Sequence, residues 1–323
     1  MDKMRFVKRI TAVFLAVISV CLCGCVGLVE KFYSDETTKP APAFVPVDVE
    51  EGSIYFKDFD GNVITLKEAP DTVASLSVVS TEIICGLGAS RYISVMNEAS
   101  SKLEGAPISA EVVQDYYADT DKIAEMKPGL VFYSADSLST LALTVMKNAG
   151  LTLVRIPERG NTETAEANIR FIASLLYKDS AGERIIKEIR EEIEKIKIAA
   201  ELVGVRKKIY IENANEYSGV GGNTIASELC AYAGGDNVFA DRSATFLTNA
   251  KELTDKDPEA IIVLTDNTEK FSVDSVRKRS GIENVYAVRT KAIYAVNRTT
   301  ATRPTQNIIY ALRDIGEALK VTK

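Results

Sequence analysis

The sequence predicts an α/β protein of two lobes, each with a largely parallel sheet, joined by one long rigid helix. Three observations carry this. From Ser180 to Gly204, Ile185, Ile189, Ile193, Ile196, Ala200 and Val203 recur at three- and four-residue spacing, while most other positions are Glu, Lys or Arg. That is one apolar stripe on a 3.6-period helix with a wet opposite face. The segments on either side echo each other. SLSVVSTEIICGLGA pairs with GVGGNTIASELCAYAGG, and DKIAEMKPGLVFYS pairs with AKELTDKDPEAIIVLT. Finally, about 299 residues remain once an N-terminal leader is set aside, more than one core usually holds.

The long helix carries its own end signals. Ser180 with Glu183 reads as a capping box, and Gly204 suits the left-handed position that follows a helix. About 23 residues at 1.5 Å each span roughly 35 Å, the width of a small domain. A coiled-coil seam is the competing reading, but about three heptads without a strict a/d pattern argue against it.

The N-terminus sets the expected compartment. Met1–Arg9 is basic, and Ile10–Cys21 is an apolar run of 12 residues. A bilayer core takes about 20, so this reads as a signal peptide. It ends in Leu22-Cys23-Gly24-Cys25, the L-x-G-C pattern of a lipoprotein signal, with the Cys25 thiol as the lipidated group. Lipid chains would anchor the mature chain at a membrane surface. The expected divisions are a signal peptide at 1–24, a Pro-containing lipid-anchored linker at 25–52, an N-terminal lobe at 53–162, linking helices at 163–204 and a C-terminal lobe at 205–323.

Composition excludes several chemistries. The whole chain carries a net charge of −6. Removing the leader's Lys3, Arg5, Lys8, Arg9 and Asp2 leaves 35 basic and 44 acidic residues, or −9. With no basic block, nucleic acid is a poor partner. There is no histidine, which removes His-ligated metals, Ser-His-Asp triads and histidine bases. No catalytic residue, metal site or cofactor is expected. Cys85 and Cys230 sit in apolar helical runs and read as small buried hydrophobes.

In order, Ser53–Lys57 and Val63–Leu66 flank Asp60-Gly61, a hairpin signal. Predicted strands follow at Thr72–Leu76, Tyr92–Val95, Leu130–Tyr133 and Leu151–Ile156. Helices are predicted at Thr81–Ala89, Asp121–Met126, Ser137–Gly150 and Thr164–Tyr177. Past Gly204, strands are expected at Lys207–Glu212, Asn237–Phe239, Ala260–Leu264 and Ala292–Val296. The alternating helices there are Ile225–Ala233, Ala250–Lys256, Val273–Lys278 and Thr305–Leu319. Such alternation builds parallel sheets, whose ligand loops lie at the C-terminal strand ends.

The lipoprotein signal, DFDGNVITL, VASLSVVSTEIICGLGA, IAEMKPGLVF, AYAGGDNVF and the connecting helix together resemble the solute-binding proteins of ABC importers for ferric siderophores, cobalamin and haem. The resemblance covers roughly residues 50–320 and rests on the order and spacing of these segments. It implies a class III periplasmic binding protein: two Rossmann-like lobes, a ligand cleft between them, and an ABC permease as partner. The expected ligand is a small-molecule chelate (ferric siderophore, corrinoid or haem), the protein a monomer and not an enzyme. A surface sensor or adhesion lipoprotein on the same scaffold is the alternative.

Candidate ligand-binding residues are Ser77, Val79, Ser80, Asn97, Tyr116, Tyr117, Tyr133, Tyr217, Asn223, Arg298 and Arg303. The tyrosines suit a planar ligand. The two arginines, between the last strand and the last helix, suit carboxylate, catecholate or phosphate. The family's permease-docking acids, seven residues before a proline, fall on Asp121 and on Lys251 with Glu252 beside it. Lysine at the second position departs from the family pattern.

Overall fold

A computed structural model describes residues 54–59, 61, 63–66, 68–114, 119–213, 215–266 and 271–320. The expected signal peptide, Cys25 and the linker lie outside the described residues, as do Tyr116 and Tyr117.

The chain enters through an antiparallel hairpin of β1 (Ile54–Lys57) and β2 (Val63–Leu66), with Phe56 opposite Ile64. Gly61 at φ +83° donates its N–H to the Asp58 carbonyl, the left-handed turn that Asp-Gly signals.

The first sheet comes from β3 (Val73–Ser75), β4 (Ile93–Asn97), β5 (Glu111–Val113), β6 (Leu130–Tyr133) and β7 (Leu153–Arg155). All pairs are parallel, in the order β5-β4-β3-β6-β7. Its connections carry α1 (Val78–Gly86), α2 (Glu98–Ser101), α3 (Thr120–Met126) and α4 (Thr140–Asn148). Then come α5 (Thr162–Leu175) and the long α6 (Asp179–Val203).

The second sheet uses β8 (Lys207–Asn213), β9 (Ser218–Val220), β10 (Gly235–Asn237), β11 (Thr245–Leu247), β12 (Ala260–Thr265) and β13 (Ile293–Asn297). Its order is β11-β9-β8-β12-β13, with β10 also parallel to β8. The helices are α7 (Ile225–Tyr232), α8 (Ala250–Lys256), α9 (Val273–Arg277), α10 (Tyr286–Arg289), α11 (Arg298–Thr302) and α12 (Ile308–Ala318).

The antiparallel β9–β11 pair departs from the sequence reading, which gave neither strand. Both are three residues long, and β9 is Ser-Gly-Val, too short and too poor in β-formers for periodicity to register. The sequence echo does become geometry. Both α3 and α8 are capped by a side chain, Asp119 and Asn249, and both end on a left-handed residue, Lys127 and Asp257. Each left-handed residue precedes a proline and then a buried strand.

α6 is continuous over 25 residues, and Gly204 closes it at φ +71°. The Ser180–Glu183 capping box does not form, because the helix starts one residue earlier and Ser180 lies inside its first turn. Glu183 instead accepts from Arg170 of α5 at 2.7 Å. Ile185, Ile189 and Ile196 are buried, but Val203 is 45% exposed, since the stripe runs past the edge of its neighbours. One continuous apolar core takes in Val79 and Ile83 of α1, Ile169 and Ile172 of α5, Ile189 and Ile196 of α6, and Leu229, Leu312 and Ile315 beyond it. The two sheets therefore share buried surface and are not joined by the helix alone. Shearing one against the other would expose that surface to water.

Candidate functional site

In the first sheet β3 pairs with β4 on one side and β6 on the other, so the chain order reverses at β3/β6. Parallel α/β sheets hold ligands outside the C-terminal strand ends at such a switch. The residues there are Ser77 after β3, Ser134 after β6 and Glu158 after the neighbouring β7. Ser77 occupies the N-cap position of α1 without capping it. Its hydroxyl donates instead to Glu158 Oε1 at 2.8 Å. Burial pushes the Glu158 carboxyl up, while the Ser77 and Ser134 hydroxyls and the Arg303 guanidinium pull it partly back. Around this group, Arg159 pairs with Asp136 at 2.9 Å, and Arg155 is likewise engaged.

The second sheet reverses at β8/β12, and a buried ion pair sits at that edge. Glu212, wholly buried, takes Arg279 at 2.8 Å and the Tyr217 N–H at 2.6 Å. The Arg279 guanidinium lies 4.4 Å from the Tyr217 ring centroid and reaches Glu216 at 3.3 Å. Tyr217 has φ +58°, a left-handed backbone that a tyrosine holds only under such constraint. Across the same edge Arg298 forms a bidentate pair with Asp266.

A third cluster bridges the sheets. Glu82 of α1 accepts from Arg303, from Thr305 Oγ1 at 2.9 Å and from Asn307 Nδ2 at 3.2 Å. Gln306 Nε2 donates to the Glu82 carbonyl at 2.8 Å. Asn168 of α5 donates to the Pro157 and Pro304 carbonyls. Glu228 of α7 accepts from the Thr162 N–H at 2.8 Å and the Tyr232 hydroxyl at 2.7 Å. The floor between the sheets is thus a polar network centred on Glu82 and Glu228, in which the Asn168 and Gln306 amide oxygens are buried without a donor among the described residues.

The candidates read from sequence take different places. Ser77 meets Glu158 as described. Val79 is wholly buried in the core, and Ser80 spends its hydroxyl on Ser75 and the Ser77 carbonyl. Asn97 is buried at the end of β4. Tyr133 packs on the outer face of the first sheet, and Asn223 is exposed. Gly221 and Gly222 donate their N–H groups to the Ala244 and Arg242 carbonyls. A Cβ at either would meet a carbonyl oxygen at 2.1 or 2.2 Å. These glycines serve close backbone approach, and their amides are not left for an anion. Arg298 and Arg303 are both paired within the protein, so neither offers the unspent charge expected of it.

Glu82, Glu158 and Arg279 were not legible as site residues. Each lies in a helix turn or loop and meets partners far away in sequence. Of the docking candidates, Asp121 is exposed on α3. Lys251 pairs with Asp255 at 2.7 Å, and Glu252 turns inward to Arg242 and to Thr248 Oγ1. Cys230 is buried and Cys85 partly so, both unbridged. Among the described residues no group of three or more Cys, Asp or Glu is placed to hold a metal ion, and no helix is long and apolar enough to cross a membrane.

Known proteins share this architecture. An "Uncharacterized ABC transporter substrate-binding lipoprotein YvrC" of Bacillus subtilis is 22% identical over 94% of this chain and 95% of its own length. A "Vitamin B12-binding protein" of Vibrio parahaemolyticus is also 22% identical, over 84% of this chain and 97% of its own. The solved structure of a possible iron-binding (periplasmic solute-binding) protein from Staphylococcus epidermidis superposes with a TM-score of 0.70 at 16% identity, covering 78% of this chain and 99% of that one. The family model described as periplasmic binding protein matches residues 73–299, from β3 to the start of α11. With one parallel and one mixed sheet, two switch points and one long connecting helix in place, and the family model matched over most of its length, the chain belongs to the periplasmic binding protein family.

Proposed function

We propose that the protein captures an iron chelate or a corrinoid in the cleft between its two sheets and delivers it to an ABC permease, outside the cytoplasm and tethered by lipid on Cys25. The observation that supports this is that each of the two sheets has a switch-point edge, Ser77–Ser134–Glu158 on one and Glu212–Arg279–Tyr217 on the other, and that the sheets share one buried core. A cleft between sheets held by one core would lose little conformational entropy on binding, which favours affinity. Because the chain has no histidine, the ligand is expected to bring its own coordination sphere. The ligands named for the relatives, vitamin B12 and iron, are consistent with that.

Native mass spectrometry against cobalamin, cobinamide, ferric siderophores and haem tests the reading. One class should bind at one ligand per chain; no binding by any of them would overturn it.

The lipid tether has its own test. Cys25→Ala should leave the protein unprocessed or release it from membranes. Unchanged processing and membrane retention would refute the anchor.

For docking, Asp121 offers an exposed acid on α3, whereas α8 offers Lys251 and holds Glu252 inward. That asymmetry favours a permease surface unlike the usual symmetric one, or the sensor reading of the same scaffold. Copurification with a permease complex distinguishes the two.

A further inference from the structure

Charge accounting at the two switch-point edges restricts what the cleft accepts. The arginines there are Arg155, Arg159, Arg279, Arg298 and Arg303. Arg159 is held by Asp136, Arg279 by Glu212 and Glu216, Arg298 by Asp266 and Arg303 by Glu82, and Arg155 is engaged as well. Among the described residues, therefore, no arginine on these edges is left to neutralise a ligand anion. A carboxylate is left over. Glu158 receives one neutral hydroxyl directly, from Ser77 at 2.8 Å, while the Ser134 hydroxyl is buried without a hydrogen-bond partner among the described residues. Arg303, whose guanidinium acts on the Glu158 carboxyl, is committed to Glu82. On the opposite edge Asn213, the last residue of β8, has its amide oxygen buried without a donor among the described residues. Each edge thus keeps an acceptor with capacity left, the Glu158 carboxylate on one and the Asn213 amide oxygen on the other. A buried acceptor without a donor costs about 1–3 kcal/mol, so a ligand that supplies N–H or O–H groups gains what an anionic one forfeits.

We propose that Glu158 is the polar anchor of the cleft and that the ligand is a neutral or cationic chelate bearing hydrogen-bond donors, such as an amide-rich corrinoid or an amine-bearing hydroxamate, and not a catecholate or polycarboxylate chelate. This rests on the chelate-receptor reading above and narrows it. An anionic chelate would have to break an existing arginine–carboxylate pair and leave one carboxylate buried beside it, and the mature chain's net charge adds long-range repulsion.

The test is titration of the full mature chain with three probes: cyanocobalamin (neutral), ferrioxamine B (cationic) and ferric enterobactin (anionic). Cyanocobalamin or ferrioxamine B should bind at least about tenfold more tightly than ferric enterobactin. Glu158→Ala should weaken the preferred probe by about tenfold or more, the loss of one charge-assisted hydrogen bond, with the thermal midpoint read in parallel. If Glu158→Ala does not fold, Glu158→Gln is read in its place. It keeps an acceptor oxygen but removes the charge, and should narrow the preference against ferric enterobactin. A preference for ferric enterobactin, or a folded Glu158 variant that binds as wild type, overturns this inference while leaving a chelate receptor. Binding of none of the three by wild type would overturn it together with the reading on which it rests.

Discussion

Replacing Glu82 with alanine is expected to destabilise the protein by about 3 kcal/mol or more, the range seen when one partner of a buried ion pair is removed. Glu82 is 9% exposed, and its carboxylate gathers Arg303, Thr305 and Asn307 from the segment just before α12. Alanine would leave a guanidinium, a hydroxyl and an amide facing a small cavity, with little water to replace the lost acceptor. At roughly 2–4 °C per kcal/mol for a chain of this size, the thermal midpoint should fall by roughly 6–12 °C. Glu82→Gln keeps an acceptor oxygen and should fall less. Because these bonds join α1 to the far end of the chain, the loss should also loosen one sheet relative to the other. Hydrogen exchange would read this as faster opening of α1 and of the Arg303–Asn307 segment together. A Glu82→Ala protein that melts within about 2 °C of wild type, with α1 exchange unchanged, would show that the cluster only decorates an interface held by the apolar core.

That cluster also marks the limit of what could be read from the chain. The long helix was legible because its isoleucines repeat with the helical period, and period is a local property of sequence. The longer strands were legible for a related reason: runs such as Ala260–Leu264 are buried on both faces and therefore apolar. The repeat of capped helix, left-handed residue, proline and strand could be seen in both halves because each part lies within about fifteen residues. Glu82 and Arg303 are 221 residues apart. Nothing in TEIICGLGA or ATRPTQN says that one carboxylate will receive three donors from the other end. Glu158 sits in Pro-Glu-Arg-Gly, which reads as a surface turn until β7 brings it beside Ser77. Arg298 and Arg303 show the converse error. They follow the last strand, as the sequence indicated, but their partners, Asp266 and Glu82, had no sequence signal. An arginine's availability is decided by what folds against it. Val79 and Ser80 misled in a similar way, since they lie in the first turn of α1 and not in a loop before it, and that turn points them into the core.

Arg279→Ala is expected to be the most damaging single change in the second sheet, and its damage should depend on pH. Arg279 and Glu212 are 8% and 0% exposed, and the guanidinium is the ion-pair partner of a carboxylate that burial already pushes upward. Removing it strands that carboxylate in a low-dielectric site at a cost of about 3–5 kcal/mol. It also takes away the surface on which the Tyr217 ring lies, so Tyr217 should lose its constrained left-handed backbone and the cleft edge its shape. The sign of the pH effect follows from the direction of the shift. A carboxyl whose folded pKa is raised adds stability that is fully present below its unfolded value, near 4.3, and is lost as pH rises through the folded value. Without Arg279 the folded value rises further, so the variant should be nearly as stable as wild type at about pH 4.5 and far less stable at about pH 7.5. Adding Glu212→Gln to Arg279→Ala removes the titrating group and should flatten the difference, recovering part of the loss at neutral pH. Denaturant midpoints at the two pH values decide it. An equal penalty at both would mean that Arg279 stabilises the edge by packing under Tyr217, with no role for the charge of Glu212.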